Sequence, residues 1–401
     1  MNEFFAPADI LLPAACDMRK WAVVACDQFS SQEDYWDRVE TLVGDAPSTL
    51  RMIVPEARLG REDAAALAAG TFAAMKRYLT GGVFREIPAS FVYVRRTQSD
   101  GRIRQGLVGA LDLEAYDYEP GTDAPVRASE HTVASRLPVR IQVRRGASLE
   151  LPHVMVLLED PEKKIIEPLA AETAGLEKLY DFDLMEGGGH LAGWRVTGKR
   201  AGEIARTVSG QPGPVKLIVG DGNHSLAAAR EFWNRCKAGL TPEQRRGHPA
   251  RYALVEVNNV YDEAIAFDAI HRVVFGARDS SLAEKLAAAC PGSDYAVTCV
   301  TAAGERRIAL GASGIGELIE RIDRFLEEHL EPGARIDYIH GREAATALGR
   351  QKDAAALLLP AMGKGDFFKT VIRGGLFPKK SFSIGRGPDK RYYMECRKIV
   401  P

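Results

Sequence analysis

Pro214-Val-Lys-Leu-Ile-Val-Gly-Asp-Gly-Asn-His-Ser-Leu-Ala-Ala-Ala-Arg-Glu-Phe-Trp233 is the stretch around which the rest of the sequence is organised. Residues 215–219 form a short apolar run, which predicts a buried strand. Gly220-Asp221-Gly222 interrupts this run with turn residues, and residues 226–233 are rich in helix formers. The stretch therefore predicts a strand, a tight loop and a helix in direct succession.

This loop has the chemistry of an anion-binding site. Backbone N–H groups at the start of a helix have no partner within the helix, and the helix dipole adds partial positive charge there. Phosphate and carboxylate bind at such positions. The loop residues that we assign to binding are Gly220, Gly222, Asn223 and Ser225.

Two side chains of the loop are candidates for catalysis. His224 can transfer a proton or position a phosphoryl oxygen, and Asp221 can act as a base or hold a metal ion. The alternative is a structural glycine turn in which Asp221 and Asn223 satisfy backbone groups. The sequence leaves both interpretations open.

Short segments along nearly the whole chain carry a resemblance to a known family. They are Trp21-Ala-Val-Val-Ala-Cys-Asp-Gln28, Gly44-Asp-Ala-Pro-Ser-Thr-Leu50, Leu151-Pro-His153, Asp181-Phe-Asp-Leu-Met-Glu-Gly-Gly-Gly-His190, His248-Pro-Ala-Arg-Tyr252, Ile270-His-Arg272 and Asp389-Lys-Arg-Tyr-Tyr-Met-Glu-Cys396. These segments resemble the bacterial family called domain of unknown function 1015. Gly220-Asp-Gly-Asn-His-Ser225 resembles a variant of the Asp-Gly-His-His-Arg signature of ParB-like and sulfiredoxin-like proteins.

The resemblance implies a mixed α/β fold with a ParB/sulfiredoxin-like nucleotide-binding core and additional N- and C-terminal α/β elements. Relatives of that core include a free-serine kinase, a nucleotide-hydrolysing partition protein and sulfiredoxin, and their signature loop handles nucleotide phosphates. This chain has Asn223 in place of the first His and Ser225 in place of the Arg. The missing Arg removes a bidentate phosphate clamp.

Composition and charge limit the classes of function. The chain has 401 residues and a formal net charge of −1, with a pI of about 6.7, so we expect neither nucleic acid nor membrane as a partner. It has no apolar run of about 20 residues and no secretory signal, and its six Cys fit reduced thiols. We expect a cytoplasmic protein with a small-molecule substrate, and a homodimer stays open.

The pattern of the chain predicts three regions. Residues 1–125 form an N-terminal α/β region that ends in a hairpin, with Asp100-Gly101 as its turn signal. Residues 126–278 form the core that contains the Gly220–Ser225 loop, and residues 279–401 form a C-terminal α/β region.

A second basic segment, residues 127–145, is also a candidate for phosphate binding. We assign Glu130 and His131 to catalysis, and the family's comparable His-Glu-x-x-Thr segment supports a role for Thr132. Arg136 and Arg140 are assigned to phosphate, because a guanidinium binds phosphate oxygens well. Residues 141–143 resemble a strand. The alternative is a solvated charged face.

Further polar residues follow the predicted strands. Asp160 comes after the apolar run 151–158 and is our candidate ligand for Mg²⁺ with bridging phosphates. Gly188 and His190 belong to a Gly-Gly-Gly-His run, in which the backbone can approach a ligand closely. On the expectation that strand ends meet at one edge of the sheet, we predict a single cleft around Asp27, Asp160, His190 and residues 221–224.

These observations favour an ATP- or other nucleotide-dependent phosphotransferase that acts on a small hydroxylated metabolite, with Mg²⁺. A free amino acid such as serine is the substrate suggested by the resemblance. Two alternatives stay open. One is a nucleotide-binding regulatory protein without turnover, and the other is a metal-dependent hydrolase or isomerase that uses His131, His190 and His224.

Overall fold

The computed structural model describes residues 3–30, 32–58, 63–133, 135, 137–277, 281–373 and 375–401. These residues form two compact units. Unit 1 contains Met1–Ala128, Thr132–Ile265 and Arg386–Pro401, and unit 2 contains Ser129–His131 and Ala266–Gly385. The division into three regions at 125 and 278 stays a prediction. Arg136 lies outside the described residues.

Unit 1 is a mixed α/β structure. Its helices are α1 (Met18–Trp21), α2 (Glu33–Val43), α3 (Ala64–Thr80), α4 (Leu137–Gly146), α5 (Leu169–Glu172), α6 (Gly198–Ser209), α7 (Asn223–Lys237) and α8 (Pro242–Gly247). Its strands are β1 (Phe5–Ala6), β2 (Ala8–Pro13), β3 (Val23–Val24), β4 (Phe84–Thr97), β5 (Ile103–Asp112), β6 (Tyr116–Asp117), β7 (Val126–Arg127), β8 (Leu149–Glu150), β9 (Met155–Leu158), β10 (Glu177–Asp183), β11 (His190–Val196), β12 (Leu217–Asp221), β13 (Tyr252–Asn259), β20 (Tyr392–Tyr393) and β21 (Arg397–Lys398).

Most of the unit 1 strands join one mixed sheet. Its order is β10-β11-β4-β5-β13-β9-β12-β7-β6, with β1 beside β5 and β2 beside β4. Side chains alternate between the two faces, so that Val92 and Val94 enter one core and Phe91 and Tyr93 enter the other. Both faces are therefore buried.

The strand, loop and helix of the central stretch are confirmed. β12 ends at Asp221, and α7 begins at Asn223. Gly222 alone connects them, with a left-handed φ of 82° that suits glycine. A side chain added at Gly222 would also press against Val154. The first turn of α7 therefore follows the end of a buried strand after a single residue, and its position is fixed by that strand.

Two expectations about this region are wrong. Residues 141–143 lie within α4 and not in a strand, because the apolar Leu137 and Ile141 pack on Ala227 and Ala228 of α7. β9 runs antiparallel to β12, with Leu158 opposite Leu217 and Met155 opposite Asp221. The carboxyl ends of these two strands therefore lie at opposite edges of the sheet.

The last residues of the chain complete unit 1. Arg391 is buried and donates to Glu256 at 2.8 Å and to Glu395 at 2.7 Å. Arg96, also buried, donates to the backbone carbonyls of Gly188 and Pro388 at 2.8 Å each. Because these charged groups have partners in distant parts of the chain, residues 386–401 are held within the core of the unit.

Unit 2 has a sheet of its own. Its strands are β14 (Phe267–Phe275), β15 (Tyr295–Thr301), β16 (Gly304–Leu310), β17 (Arg335–His340), β18 (Ala354–Leu358) and β19 (Phe382–Ile384), in the order β16-β15-β18-β14-β17 with β19 beside β14. Its helices are α9 (Leu282–Ala289), α10 (Ile315–His329), α11 (Arg342–Gly349) and α12 (Lys364–Ile372). Ser129–His131 joins this unit, where Phe377 N–H donates to the Ser129 carbonyl at 2.7 Å.

Within the described residues, none of the helices has the length and apolar character needed to cross a membrane. All six cysteines belong to the described residues, and each is a free thiol.

Candidate active site

The site begins where β12 passes into α7. The carboxylate of Asp221 accepts from the Gly222 N–H at 2.9 Å and from Lys390 Nζ at 2.9 Å. The Lys390 and Asp221 side chains are 10% and 23% exposed, so this ion pair is largely shielded from water. Asp221 is therefore an ion-pair partner that fixes Lys390 beside the first turn of the helix.

His224 ties this turn to the segment that precedes α4. Its Nε2 accepts a hydrogen bond from the Val133 N–H at 3.1 Å. The adjacent Thr132 hydroxyl is buried and has no hydrogen-bond partner among the described residues. The structure thus brings Thr132 and His224 into one neighbourhood of unit 1.

Ser225 begins a chain of hydrogen bonds. Its Oγ lies 3.1 Å from His153 Nε2, and His153 Nδ1 lies 3.1 Å from the Tyr393 hydroxyl. The same hydroxyl contacts Cys26 twice, accepting from the backbone N–H at 3.2 Å and donating to Sγ at 3.1 Å. The chain is possible because β20 pairs with β3, which places Tyr393 beside the residues that follow β3.

A cavity of about 220 Å³ lies against this chain. Ser225, His153 and Tyr393 line it together with Cys26 and Asp27. Much of the remaining lining is apolar and comes from Met52, Ile53, Val54, Met75, Val139, Val143, Ala147, Leu149, Leu151 and Ala228. The cavity thus combines an apolar wall with a cluster of polar groups.

Asp27 supplies negative charge at the polar end. Burial raises the pKa of its carboxyl, but the charges of His153 and Lys390 and a hydrogen bond from Gln28 outweigh this, and the net shift is downward. Asp27 is therefore an ionised carboxylate near the His153 ring. Lys390 acts on both Asp27 and Asp221, and so it links the cavity to the start of α7.

Two arginines of α4 also line the cavity. Arg140 is paired with Glu56, and Arg144 donates to Glu150 at 2.6 Å. Burial raises the pKa of Glu150, but the charges of Arg397 and Arg144 bring it below its ordinary value. A guanidinium has five N–H donors, so one paired with a carboxylate retains capacity for a ligand oxygen.

Several predicted site residues lie elsewhere. The Asp160 carboxylate accepts from the Lys164 and Ile165 N–H groups at 2.6 and 2.9 Å. Asp160 follows the carboxyl end of β9, which lies beside the start of β12 at Leu217. It caps a turn and does not join the Gly220–Ser225 loop, because the two strands are antiparallel. Glu130 and His131 belong to unit 2.

The predicted Gly188 and His190 also have structural partners. His190 lies between Asp183 and Asp181, at 2.8 and 2.7 Å, on the β10–β11 hairpin. The Gly188 carbonyl accepts from Arg96, and a side chain there would collide with the Tyr392 hydroxyl. These two residues form part of the framework, and neither lines the cavity.

The sequence interpretation missed three residues of the site, namely His153, Lys390 and Tyr393. Their segments carry the family resemblance in the sequence, but no local motif marks these residues as part of a site. No group of three or more His, Cys, Asp or Glu side chains among the described residues has the arrangement of a metal site. The donor set of the described residues therefore does not fit a metal ion held by the protein alone.

The fold is that of a mixed α/β protein with a polar cavity at the start of a helix. A sequence model described as protein of unknown function (DUF1015) matches residues 11–348, and the chain belongs to this family. No curated protein matches the chain.

Solved structures provide three further comparisons. A free serine kinase mutant in complex with AMP has 12% identity and a TM-score of 0.40, over 72% of this chain and 91% of that chain. SbnI with a C-terminal truncation from Staphylococcus aureus has 9% identity and a TM-score of 0.38, over 69% and 82%. A conserved hypothetical protein from Pyrococcus furiosus has 12% identity and a TM-score of 0.35, over 71% and 93%. At these scores the function has to be argued from the site itself.

Proposed function

We propose that unit 1 is a nucleotide-dependent phosphotransferase that acts on a small hydroxylated metabolite. The observation that carries this proposal is the meeting of two segments that independently have phosphate-binding chemistry. Ser225 of the Gly220–Ser225 loop and Arg140 of the basic segment line the same cavity, although 85 positions separate them in the chain.

The charges of the cavity suit phosphoryl transfer. The start of α7, Arg140 and Arg144 provide positive potential for phosphate oxygens. His153 and the ionised Asp27 provide the proton acceptor and the negative charge that a hydroxyl acceptor requires. Catalysis of this kind depends mainly on positioning and on electrostatic stabilisation.

The size of the cavity suits a small acceptor. Its volume of about 220 Å³ is below the roughly 300–1,000 Å³ of most ligand pockets. The apolar wall favours a metabolite with a short aliphatic part, and the polar end places its hydroxyl group beside His153. A free amino acid such as serine or threonine fits this description.

The proposal is tested by thermal stabilisation of the pure protein with ATP, ADP, CTP, GTP and pyrophosphate, each with and without Mg²⁺. A ligand at about 100 times its Kd adds about 2.7 kcal/mol of stability, which is a readable shift in Tm. We expect stabilisation by one nucleoside triphosphate, and Arg140→Met should weaken it.

Arg145→Met is the matched control, because Arg145 lies on the same helix but is exposed and does not line the cavity. Its nucleotide-induced shift should equal that of the wild type. Absence of a shift with every compound at millimolar concentration would contradict the proposal. An equal loss in both variants would instead place binding away from the cavity.

A further inference from the structure

The hydrogen bonds of Tyr393 determine the tautomer of His153. A tyrosine hydroxyl has one hydrogen and two lone pairs. The hydroxyl of Tyr393 donates to Cys26 Sγ and accepts from the Cys26 N–H, so its remaining capacity is that of an acceptor. We therefore assign the hydrogen of this contact to His153 Nδ1. Nε2 is left as an acceptor for the Ser225 hydroxyl at 3.1 Å.

The Tyr393 hydroxyl and the Cys26 thiol stay protonated near neutral pH. Burial raises the pKa of the Tyr393 hydroxyl well above its ordinary value, and burial raises that of the Cys26 thiol to about 12. Both groups keep their protons, so the direction of the hydrogen bonds is maintained. The titratable and charged groups around His153 are Cys26, Asp27, Tyr393 and Lys390, which acts through Asp27.

We propose that Ser225 is a nucleophile activated by His153, and that it carries the phosphoryl group from donor to acceptor as a covalent intermediate. This inference rests on the proposed function. Nucleophile and base lie within hydrogen-bonding distance, and the base is oriented by a third group, which is the arrangement required for an activated hydroxyl. The carboxylate of Asp27 stabilises the imidazolium that forms.

The small size of the cavity is consistent with transfer through a covalent intermediate. A space of about 220 Å³ favours the presence of one reacting group at a time at the polar end. With a covalent intermediate, the donor can leave before the acceptor enters. The two substrates then use the same polar end in turn.

The transfer takes place in two steps. Ser225 Oγ forms a bond to the γ-phosphorus, the bond to the bridging oxygen breaks, and the nucleoside diphosphate leaves with the electron pair. The Ser225 proton passes to His153 Nε2 and is then lost to solvent. In the second step the acceptor oxygen attacks phosphorus, and its proton moves through His153 to Ser225 Oγ as that oxygen leaves. The net reaction releases one proton.

The nucleophile is tested first with a fluorophosphonate probe, which needs no nucleotide. Its phosphorus bonds to Ser225 Oγ, fluoride leaves, and the proton passes to His153. Peptide mass spectrometry of the full chain should find the adduct on Ser225. His153→Asn should slow labelling about 100-fold or more, the usual share of a general base. Ser148→Ala is the control, since Ser148 lies between two residues of the cavity lining but does not line it.

Tyr393 is a positioning residue in this scheme, and Tyr393→Phe tests it. Without the hydroxyl, His153 is no longer held in the tautomer that accepts from Ser225, so labelling should slow less than in His153→Asn. The labelling rate of the wild type should depend on pH, because the Ser225 proton is transferred to His153. This pH dependence should disappear in His153→Asn and persist in Tyr393→Phe.

The phosphoryl intermediate is tested by exchange of labelled nucleoside diphosphate into the triphosphate without an acceptor, using the nucleotide that stabilises the protein. Exchange in the wild type and in Ser148→Ala, with none in Ser225→Ala or His153→Asn, supports the inference. Lack of a Ser225 adduct with the probe, or equal labelling of His153→Asn, overturns it. Transfer to an acceptor by a folded Ser225→Ala variant also overturns it but leaves the proposed function intact. Probe labelling without any nucleotide binding supports the nucleophile and contradicts the nucleotide donor.

Discussion

Both units contain a histidine with hydrogen-bonded partners and bury arginines, but they use the histidine differently. In unit 2, Arg272 is fully buried and donates to both oxygens of Asp323 at 2.7 and 2.8 Å, and His271 accepts from the Leu359 N–H at 3.1 Å. In unit 1, His153 joins Ser225 to Tyr393 along the wall of a cavity. Enclosed polar groups stabilise a fold, whereas the same groups beside a space of molecular size are available to a ligand.

The largest expected effect concerns the enclosed charges of unit 1. Arg391→Met leaves the buried Glu256 and Glu395 carboxylates without their shared partner. We expect a loss of about 3–5 kcal/mol in the free energy of unfolding, measured by chemical denaturation. The control is Arg38→Met, which breaks solvent-exposed ion pairs with Asp34 and Glu186 and should change the free energy of unfolding far less. Equal effects in the two variants would contradict a stabilising role of the buried network.

The enclosed histidine of unit 2 should make stability depend on pH. Burial, helped by the charges of Arg342 and Arg272, lowers the pKa of His271 from 6.5 to about 4. The pKa of His271 is lower in the folded than in the unfolded protein. The contribution of neutral His271 to the free energy of unfolding is therefore complete above about pH 6.5 and is lost as the pH falls toward 4. At about 1.36 kcal/mol per pKa unit, the free energy of unfolding should fall by about 3 kcal/mol.

This prediction is measured against His271→Gln, which lacks the titrating group. The difference in unfolding free energy between wild type and variant should shrink between pH 7 and pH 4.5. A difference that stays constant over this interval would show that His271 is not held neutral by the fold.

The third largest effect on stability is expected at Gly106, which lies beside the buried charges. A methyl group at Gly106 would lie 2.5 Å from Glu256 Oε1 and 2.7 Å from Asn258 Nδ2. Gly106→Ala should therefore destabilise the protein by about 1–3 kcal/mol, as overpacking usually does. Gly175→Ala is the control, since nothing lies within 4 Å of the added atom. A neutral Gly106→Ala would mean that the network can move aside.

The smallest effect is expected at His190. Hydrogen bonds that His190 donates to Asp183 and Asp181 raise its pKa against the opposing effect of burial. Its stabilising contribution is therefore complete below pH 6.5 and is lost as the pH rises through the folded pKa. Since the side chain is 40% exposed, solvent screening limits the effect to about 1 kcal/mol or less. His190→Gln, compared at pH 5.5 and pH 8.5, should remove this dependence.

The sequence predicted local structure well and long-range placement less well. The β12–α7 transition and the β4–β5 hairpin follow from apolar runs and turn residues. The position of Asp160 could not be predicted in this way, because periodicity does not give the direction of a strand within a sheet. Its separation from the Gly220–Ser225 loop follows only from the antiparallel register of β9 and β12.

The site was predicted in part for a similar reason. Ser225 and Arg140 could be identified because their segments have phosphate-binding chemistry of their own. His153 and Tyr393 have no local motif, and their meeting depends on the pairing of β20 with β3 across most of the chain. A solitary histidine gives no signal in sequence until its neighbours are known.

The most direct test of the account is turnover. Phosphorus NMR would follow a nucleoside triphosphate incubated with the pure protein and a mixture of amino acids, sugars and polyols. We expect a new phosphoester and an equal amount of nucleoside diphosphate with the wild type and Ser148→Ala. With His153→Asn we expect the rate of turnover to fall by about 100-fold or more. Unchanged triphosphate with every nucleotide, or turnover by His153→Asn equal to that of the wild type, would contradict it.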